Sequence, residues 1–359
     1  MIQNNKELQQ AYSLSGAFTL ALRLVVGWTY FSAFWRRLIL DNKLIADEAG
    51  YIGEKFNHFL PNALGIKPLI EYLVSNPESL WWAMVLFTIV EAIVGLFIML
   101  GLFTRLMSLG VLALATGILL GSGWLGTTCL DEWQIGILGM ATGFSIYFTG
   151  GGVYSMDHYL FRKSAIRQSS WFAWIGSGVL PIPSKVLNRI ILGGSVAILG
   201  MTLFTNQYFH NGVWGELHNK SVKPVVEISD AKLDSRQLTF TVYRVEGADV
   251  YGSFLIGIEL KDKDGNSLIR KDGAELSKFQ ESDIKNRYVA KVKPGKHSLI
   301  IPLGSKAEIS IADDVFNTLP KGEYSLILTD ISGITWTQTI LNKGLASIVR
   351  DIRSAFKGF

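Results

Sequence analysis

The chain has 359 residues, enough for two or three domains, and its 49% hydrophobic against 18% charged residues is too apolar for an ordinary soluble protein. A net charge of +4 is too small to make nucleic acid the main partner. The single cysteine, Cys129, excludes an internal disulfide, a CxxC redox pair, a CxxCH haem site and a cysteine-ligated iron–sulfur cluster.

Residues 1–10 are polar, so the first apolar run reads as a retained membrane helix and not a cleaved signal. A spanning helix needs about 20 mostly apolar residues. Residues 17–40, 80–103, 106–124 and 133–150 meet that length, and 186–204 is a weaker fifth run with glycines in it. Residues 171–180 are too short to span and are followed by Pro181 and Pro183, which suggests an interfacial segment with Trp171 and Trp174 at headgroup level.

Arg23 lies inside the first run, sharing a helical face with Gly27, Tyr30 and Phe34. Glu91 lies inside the second run, on a face with Thr88 and Gly95. Charges at membrane depth cost several kcal/mol and usually face a bundle interior or a wet cavity. One expectation is that Arg23 and Glu91 pair to fix helix packing. The other is that they line a quinone pocket, the acid relaying protons and the arginine polarising a carbonyl; the two are compatible. Arg36 and Arg37 end the first run, either snorkelling or collecting an anion with their planar donor forks. In the link that follows, Leu64, Ile66, Leu69, Ile70, Leu73 and Val74 predict an amphipathic helix lying on the membrane.

The link between the third and fourth runs holds the lone cysteine, in Trp124-Leu125-Gly126-Thr127-Thr128-Cys129-Leu130-Asp131-Glu132-Trp133. Asp131 followed by Gln134 has the form of a capping box, so Asp131 is expected to cap the fourth helix. Cys129 then sits near a helix N-terminus, which favours a thiolate, while the neighbouring carboxylates oppose it. A reactive thiol and an inert thiol at the membrane edge both remain open. The fourth run carries Gly136, Gly139 and Gly143, a small-residue face expected to permit close helix packing. This link has no basic residue, whereas the next has Arg162, Lys163, Arg167, Lys185 and Arg189. Positive-inside then places the Cys129 link, Arg36 and Arg37 outside, the N-terminus in the cytoplasm and the C-terminal domain outside.

From Ser221 the pattern becomes short β-branched and aromatic runs between turns: 222–228, 237–245, 254–260, 297–303, 324–329 and 335–341. Six or seven strands at this spacing predict an immunoglobulin-like β-sandwich. Leu319-Pro320-Lys321-Gly322-Glu323-Tyr324 is similar to the entry to a tyrosine corner. Lys285, Arg287, Lys291, Lys293, Lys296 and His297 form a basic run, by default a solvated face. Residues 345–359 predict a short basic amphipathic helix.

Ala21-Leu22-Arg23-Leu24, Glu91-Ala92-Ile93-Val94-Gly95 and Gly101-Leu102-Phe103-Thr104-Arg105 resemble the membrane small subunit DoxD of thiosulfate:quinone oxidoreductase. So do the Cys129 link and Ser155-Met156-Asp157-His158, and the chain from about residue 204 onward resembles the companion subunit DoxA. The motifs around Arg23 and Glu91 are shared with the broader DoxX-like membrane family. The cysteine link and the two-part order are more specific. The fold expected is a membrane α-helical bundle, with four transmembrane helices in 1–185 and a fifth linking helix in 186–210. A soluble all-β domain follows in 211–359.

The resemblance implies that thiosulfate is oxidised to tetrathionate at the outer face of a bacterial cytoplasmic membrane, with two electrons passed to a membrane quinone. No haem, flavin, iron–sulfur cluster or metal is expected. Cys129, Glu91 and Glu132 are the candidate catalytic residues; Arg23, Arg36, Arg37, Tyr30, Trp124, Thr128, Asp131 and Trp133 are the candidate binding residues. In one scheme Cys129 carries the sulfane sulfur, and in another thiosulfate attacks the quinone directly. The bilayer, a second copy of the chain or a respiratory oxidase are the further partners expected. The alternatives are a non-catalytic accessory subunit of a membrane redox complex, or an oxidoreductase for another sulfur anion such as sulfite.

Overall fold

The computed structural model describes residues 2–46, 48–126, 131–161, 169–234, 236–248 and 253–342, for residues 2–6, 131 and 170 the backbone alone. Helices α1 (Ile2–Phe18) and α2 (Leu20–Phe34) lead into a π-helical turn, Trp35–Ile39. Then come the short α3 (Ile52–Asn57) and α4 (Lys67–Ser75), and the long α5 (Pro77–Leu100), α6 (Thr104–Ser122) and α7 (Asp131–Thr149). Two short helices, α8 (Met156–Phe161) and α9 (Ser170–Ile175), precede α10 (Ser184–His210). The chain divides into two compact units. One holds residues 1–52, 63–66 and 78–219, and the other holds 53–62, 67–77 and 220–359.

In the helical unit, α5, α6 and α10 are long and apolar enough to cross a membrane. The pair α1–α2, bent by 49°, makes a fourth if it is one span. Helix α7 has 19 residues but begins Asp131-Glu132-Trp133-Gln134, and this polar first turn leaves it outside that set. Packing depends on absent side chains. A Cβ on Gly27 of α2 would lie 2.8 Å from the carbonyl oxygen of Gly95 in α5, and one on Gly95 would lie 2.7 Å from that of Gly27. Added Cβ atoms on Gly136 and Gly139 of α7 would lie 2.9 Å from Leu119 and 2.8 Å from Ala115, both in α6. The glycine face of α7 is therefore a helix contact, the packing role expected of it. In α9, Trp171 and Trp174 are exposed while Phe172 is buried.

The other unit is all-β in its C-terminal part. Its strands are β1 (Val225–Leu233), β2 (Gln237–Glu246), β3 (Ser253–Lys261), β4 (Ser267–Asp272) and β5 (Ile284–Asn286). They continue with β6 (Lys293–Pro294), β7 (Leu299–Ile301), β8 (Lys306–Ala312), β9 (Gly322–Asp330) and β10 (Thr335–Asn342). One sheet has the order β1-β2-β8-β5 and the other β10-β9-β3-β7-β6, with β4 beside β3, all pairs antiparallel. Alternate side chains point into one core: Leu238, Phe240 and Val242 from β2, Ala307, Ile309 and Ile311 from β8, Tyr324, Leu326 and Leu328 from β9. Tyr324 Oη donates to the Pro320 carbonyl at 2.7 Å, the hydrogen bond of a tyrosine corner.

The sequence reading missed β8, a central strand whose Ala307, Ile309 and Ile311 alternate with Lys306, Glu308 and Ser310. The link helix needs a correction as well. It exists as α4, but Ile70 and Val74 are buried within the β-containing unit, while Leu69 and Tyr72 leave an exposed apolar or aromatic face on the helix. The Val289 N–H donates to the Val74 carbonyl at 3.2 Å, and Tyr288 Oη donates to Glu71 Oε1 at 2.7 Å. Burial, and then the Glu71 carboxylate, hold the Tyr288 hydroxyl above the usual phenol range, so it remains a donor at physiological pH. The helix predicted over 345–359 lies outside the described residues.

Candidate functional site

Helices α2 and α5 are antiparallel and touch at Gly27 and Gly95, which fixes the depth of every charge on them. Arg23 precedes Gly27 by four residues and Glu91 precedes Gly95 by four, so they are displaced in opposite directions, about 12 Å apart along the axes. Helical Cα–Cβ bonds also lean toward each helix's own N-terminus, which sends these two side chains further apart. The expected Arg23–Glu91 pair is accordingly not formed. Instead, Arg37 leans back down α2 while Glu91 leans up toward it. Arg37 Nη1 lies 2.6 Å from Glu91 Oε2 and donates to Thr88 Oγ1 at 3.0 Å. The Arg37 guanidinium also lies 5.7 Å from the centre of the Phe87 ring.

The local backbone explains the selection of Arg37 over Arg36. Both lie on the π-helical turn, which shifts the register that α2 would otherwise continue. Arg37 is turned inward; Arg36 stays exposed, its Nε donating to the Ser32 carbonyl at 3.2 Å. The terminal nitrogens of Arg36 make no hydrogen bond among the described residues. Thr88 donates to the Met84 carbonyl in its own helix and accepts from Arg37, so its hydroxyl orientation is set. Beside this group is a cavity of about 550 Å³, walled by Leu38, Leu44, Trp81, Val85 and Ile89 with Asn42 and Thr88 as polar members. That is the size and character of a small-molecule pocket.

Tyr30 is also buried, one turn beyond Gly27, and its Oη would lie 3.2 Å from a Cβ on Gly139 of α7. It makes no hydrogen bond among the described residues. Helix α7 runs antiparallel to α2, since Thr149 Oγ1 lies 3.0 Å from Thr19 Oγ1 while Gly139 meets Tyr30. The start of α7 at Asp131 and the turn carrying Arg36 and Arg37 are therefore at the same end of the unit. Trp124 is fully buried there, and Trp133 Nε1 donates to Thr205 Oγ1 of α10 at 2.9 Å. Glu132 is half-buried in the first turn of α7. Cys129 and Thr128 lie outside the described residues, as does the Asp131 side chain and hence its expected capping bond.

The last turn of α10 contributes residues that sequence reasoning passed over. His210 is fully buried, and its Nε2 lies 3.1 Å from the Gly123 carbonyl oxygen, so α10 supports the segment leading into the Cys129 link. A lone histidine at the end of a weak span gave no periodic signal of that role.

The opposite end of the unit holds a second buried polar cluster. Arg23 Nη1 donates to the Gly151 carbonyl at 2.5 Å and Nη2 to that of Tyr154. Arg105 donates to the carbonyls of Tyr147 at 2.9 Å, Ala173 at 2.5 Å and Gly178 at 2.6 Å. Asp157 accepts from the backbone N–H groups of Phe103 and Thr104, at 2.7 and 3.0 Å, capping α6 from a distance in sequence. It accepts as well from the hydroxyls of Thr104 and Ser177 at 2.7 Å each. The space there amounts to about 40 Å³.

Two family models match the chain. The model described as TQO small subunit DoxD covers residues 18–183, and the one described as TQO small subunit DoxA covers residues 209–339.

Proposed function

Because this chain belongs to the DoxD and DoxA small-subunit families of thiosulfate:quinone oxidoreductase, joined in that order, we propose that it oxidises thiosulfate and reduces a membrane quinone. The observation that carries the proposal is the Arg37–Glu91–Thr88 group, whose Thr88 lines the 550 Å³ cavity with Arg37 and Glu91 bonded behind it. The apolar wall suits a quinone ring. Arg37 would supply the donor to a carbonyl that gains negative charge on reduction, Thr88 would help to hold that guanidinium in place, and Glu91 would hand on a proton.

The balance requires two thiosulfates to give tetrathionate and two electrons, taken with two protons by one quinone. In the covalent scheme, the Cys129 thiolate and the sulfane sulfur of thiosulfate form an S–S bond as the quinone takes the electron pair. A second thiosulfate then attacks the sulfane sulfur, tetrathionate leaves and the thiolate is restored, as in thiol–disulfide exchange. Arg36, exposed with its terminal nitrogens uncommitted, is better suited to collecting the dianion than Arg37, which is engaged with Glu91. Glu132, Asp131, Thr128, Trp124 and Trp133 would shape the same end, and Tyr30 would line its inner side.

The composition of the units supports a topology for this reading. Residues 53–62 and 67–77 fold with the chain that follows α10, so these parts lie on one side of any membrane the chain crosses. Between them the chain must cross an even number of times. Helices α5, α6 and α10 are candidates for three crossings, and in this reading α7 would be the fourth despite its polar first turn. With the α1–α2 pair the reading has five spans, and the basic residues between α7 and α10 favour a β-unit outside the cytoplasm. An immunoglobulin-like sandwich is the reading we favour for that unit, supported by its two antiparallel sheets and the Tyr324 corner.

The test is turnover by the purified protein in detergent, given thiosulfate and a soluble quinone analogue. We expect one quinone reduced for each tetrathionate formed. Folded protein with no thiosulfate-dependent quinone reduction contradicts the proposal and favours a non-catalytic subunit of a larger redox complex.

A further inference from the structure

We infer that residues 53–62 and 67–77 are a docking element for the β-unit, able to hold it without the covalent connector at 211–219. The contacts are specific and buried. Asn57 is fully buried: its Nδ2 donates to the Gly304 carbonyl at 2.7 Å, and its Oδ1 accepts from the Ala290 N–H at 3.2 Å. Gly304 has φ +72, and a Cβ there would lie 2.8 Å from Asn57 Nδ2, so the site admits only glycine opposite this asparagine. Asn62 donates to the Val245 carbonyl at 2.9 Å and accepts from Lys220 Nζ at 3.0 Å. Leu60, Ile70 and Val74 bury apolar side chains in the same unit, and the Val74 carbonyl and Glu71 carboxylate take the Val289 and Tyr288 donors.

These bonds join positions more than 150 residues apart in sequence, and most end on backbone groups in the loops at the ends of β2, β5 and β7. A side-chain carboxamide matched to two backbone groups is a recognition contact whose partner need not be covalently joined. The connector itself is solvent-exposed over residues 211–218. The partner this element fits is a β-unit of this kind, whether fused to the chain or supplied as a separate one. This inference stands apart from the catalytic proposal.

The experiment uses the full chain, tagged at the N-terminus, with a protease site inserted between Gly215 and Glu216, cleaved after purification in detergent. The C-terminal fragment is expected to remain on the tagged helical fragment through washing. In cleaved chains carrying Asn57→Ala or Val74→Asp, release is expected to be about tenfold faster or more, from the lost buried hydrogen bonds or the buried charge. Uncleaved variants, compared by size exclusion and tryptophan emission, report whether they fold. If Asn57→Ala does not fold, Asn62→Ala gives the graded reading. Immediate loss of the fragment from the cleaved parent chain overturns the inference. So does release that none of the substitutions in a folded chain accelerates.

Discussion

At one end of the helical unit Arg37 meets Glu91 charge to charge beside an open cavity; at the other, Arg23 and Arg105 are answered by five backbone carbonyls and almost no space. Both arrangements give inward-facing arginines hydrogen-bond acceptors, but with different consequences. Carbonyls belong to the backbone and cannot titrate, so the Arg23–Arg105–Asp157 end is a staple that ties α2, α6, α7 and α9 together. A carboxylate can accept a proton, so the Glu91 end can change state without unfolding. Buried ion pairs are also weak contributors to stability, often no better than well-packed apolar residues of similar volume. A pair kept beside a cavity is thus better explained by chemistry than by packing.

The double substitution Arg37→Met with Glu91→Leu should break this contrast most visibly. Its melting temperature is expected to stay close to that of the parent chain, while turnover falls by about 100-fold or more through loss of the acid and the donor. A purely structural pair would leave turnover of the folded variant near normal. Next in size, Cys129→Ser should reduce thiosulfate oxidation by about 100-fold if the sulfane sulfur is carried on the thiol. Near-normal turnover would sink that covalent scheme and leave direct attack on the quinone.

At the other end the expected signs reverse. Arg105→Ala leaves three carbonyls without their donor and should lower stability by about 3 kcal/mol or more, read by chemical denaturation in detergent. The rate per folded molecule should change little; a selective loss of rate without loss of stability would show that this end, too, takes part in turnover. Smallest is Tyr324→Phe in the β-unit, which removes one hydrogen bond and should cost about 1 kcal/mol with no effect on turnover.

The same comparison shows what can be read from a sequence. The long apolar runs identify α5, α6 and α10, and period-two alternation finds most strands, because these patterns are local. Partner choice is not local. Arg23 and Glu91 occupy comparable places in their own helices, but only the Gly27–Gly95 contact reveals that antiparallel packing separates them. The π-helical turn at Trp35–Ile39 carries no obvious signature, so the division of roles between Arg36 and Arg37 was hidden. Amphipathicity correctly indicated a helix at α4, but it states only that one face is apolar, not what covers that face. Strand β8 was readable from Ala307, Ile309 and Ile311; its Lys306 and Glu308 obscured it. Arg105 and His210 lie at the ends of spans, where a polar residue ordinarily needs no partner within the protein.

The most direct measurement is photocrosslinking with a photoreactive quinone analogue, followed by mass-spectrometric mapping of the adducts. Binding at the Arg37–Glu91 end predicts adducts within residues 38–46 and 81–91, protected by excess unlabelled quinone and diminished in the Arg37→Met/Glu91→Leu chain. Protected adducts that fall instead within residues 9–13 or 172–179, with 38–46 and 81–91 unlabelled, would place the quinone at the stapled end and contradict the assignment.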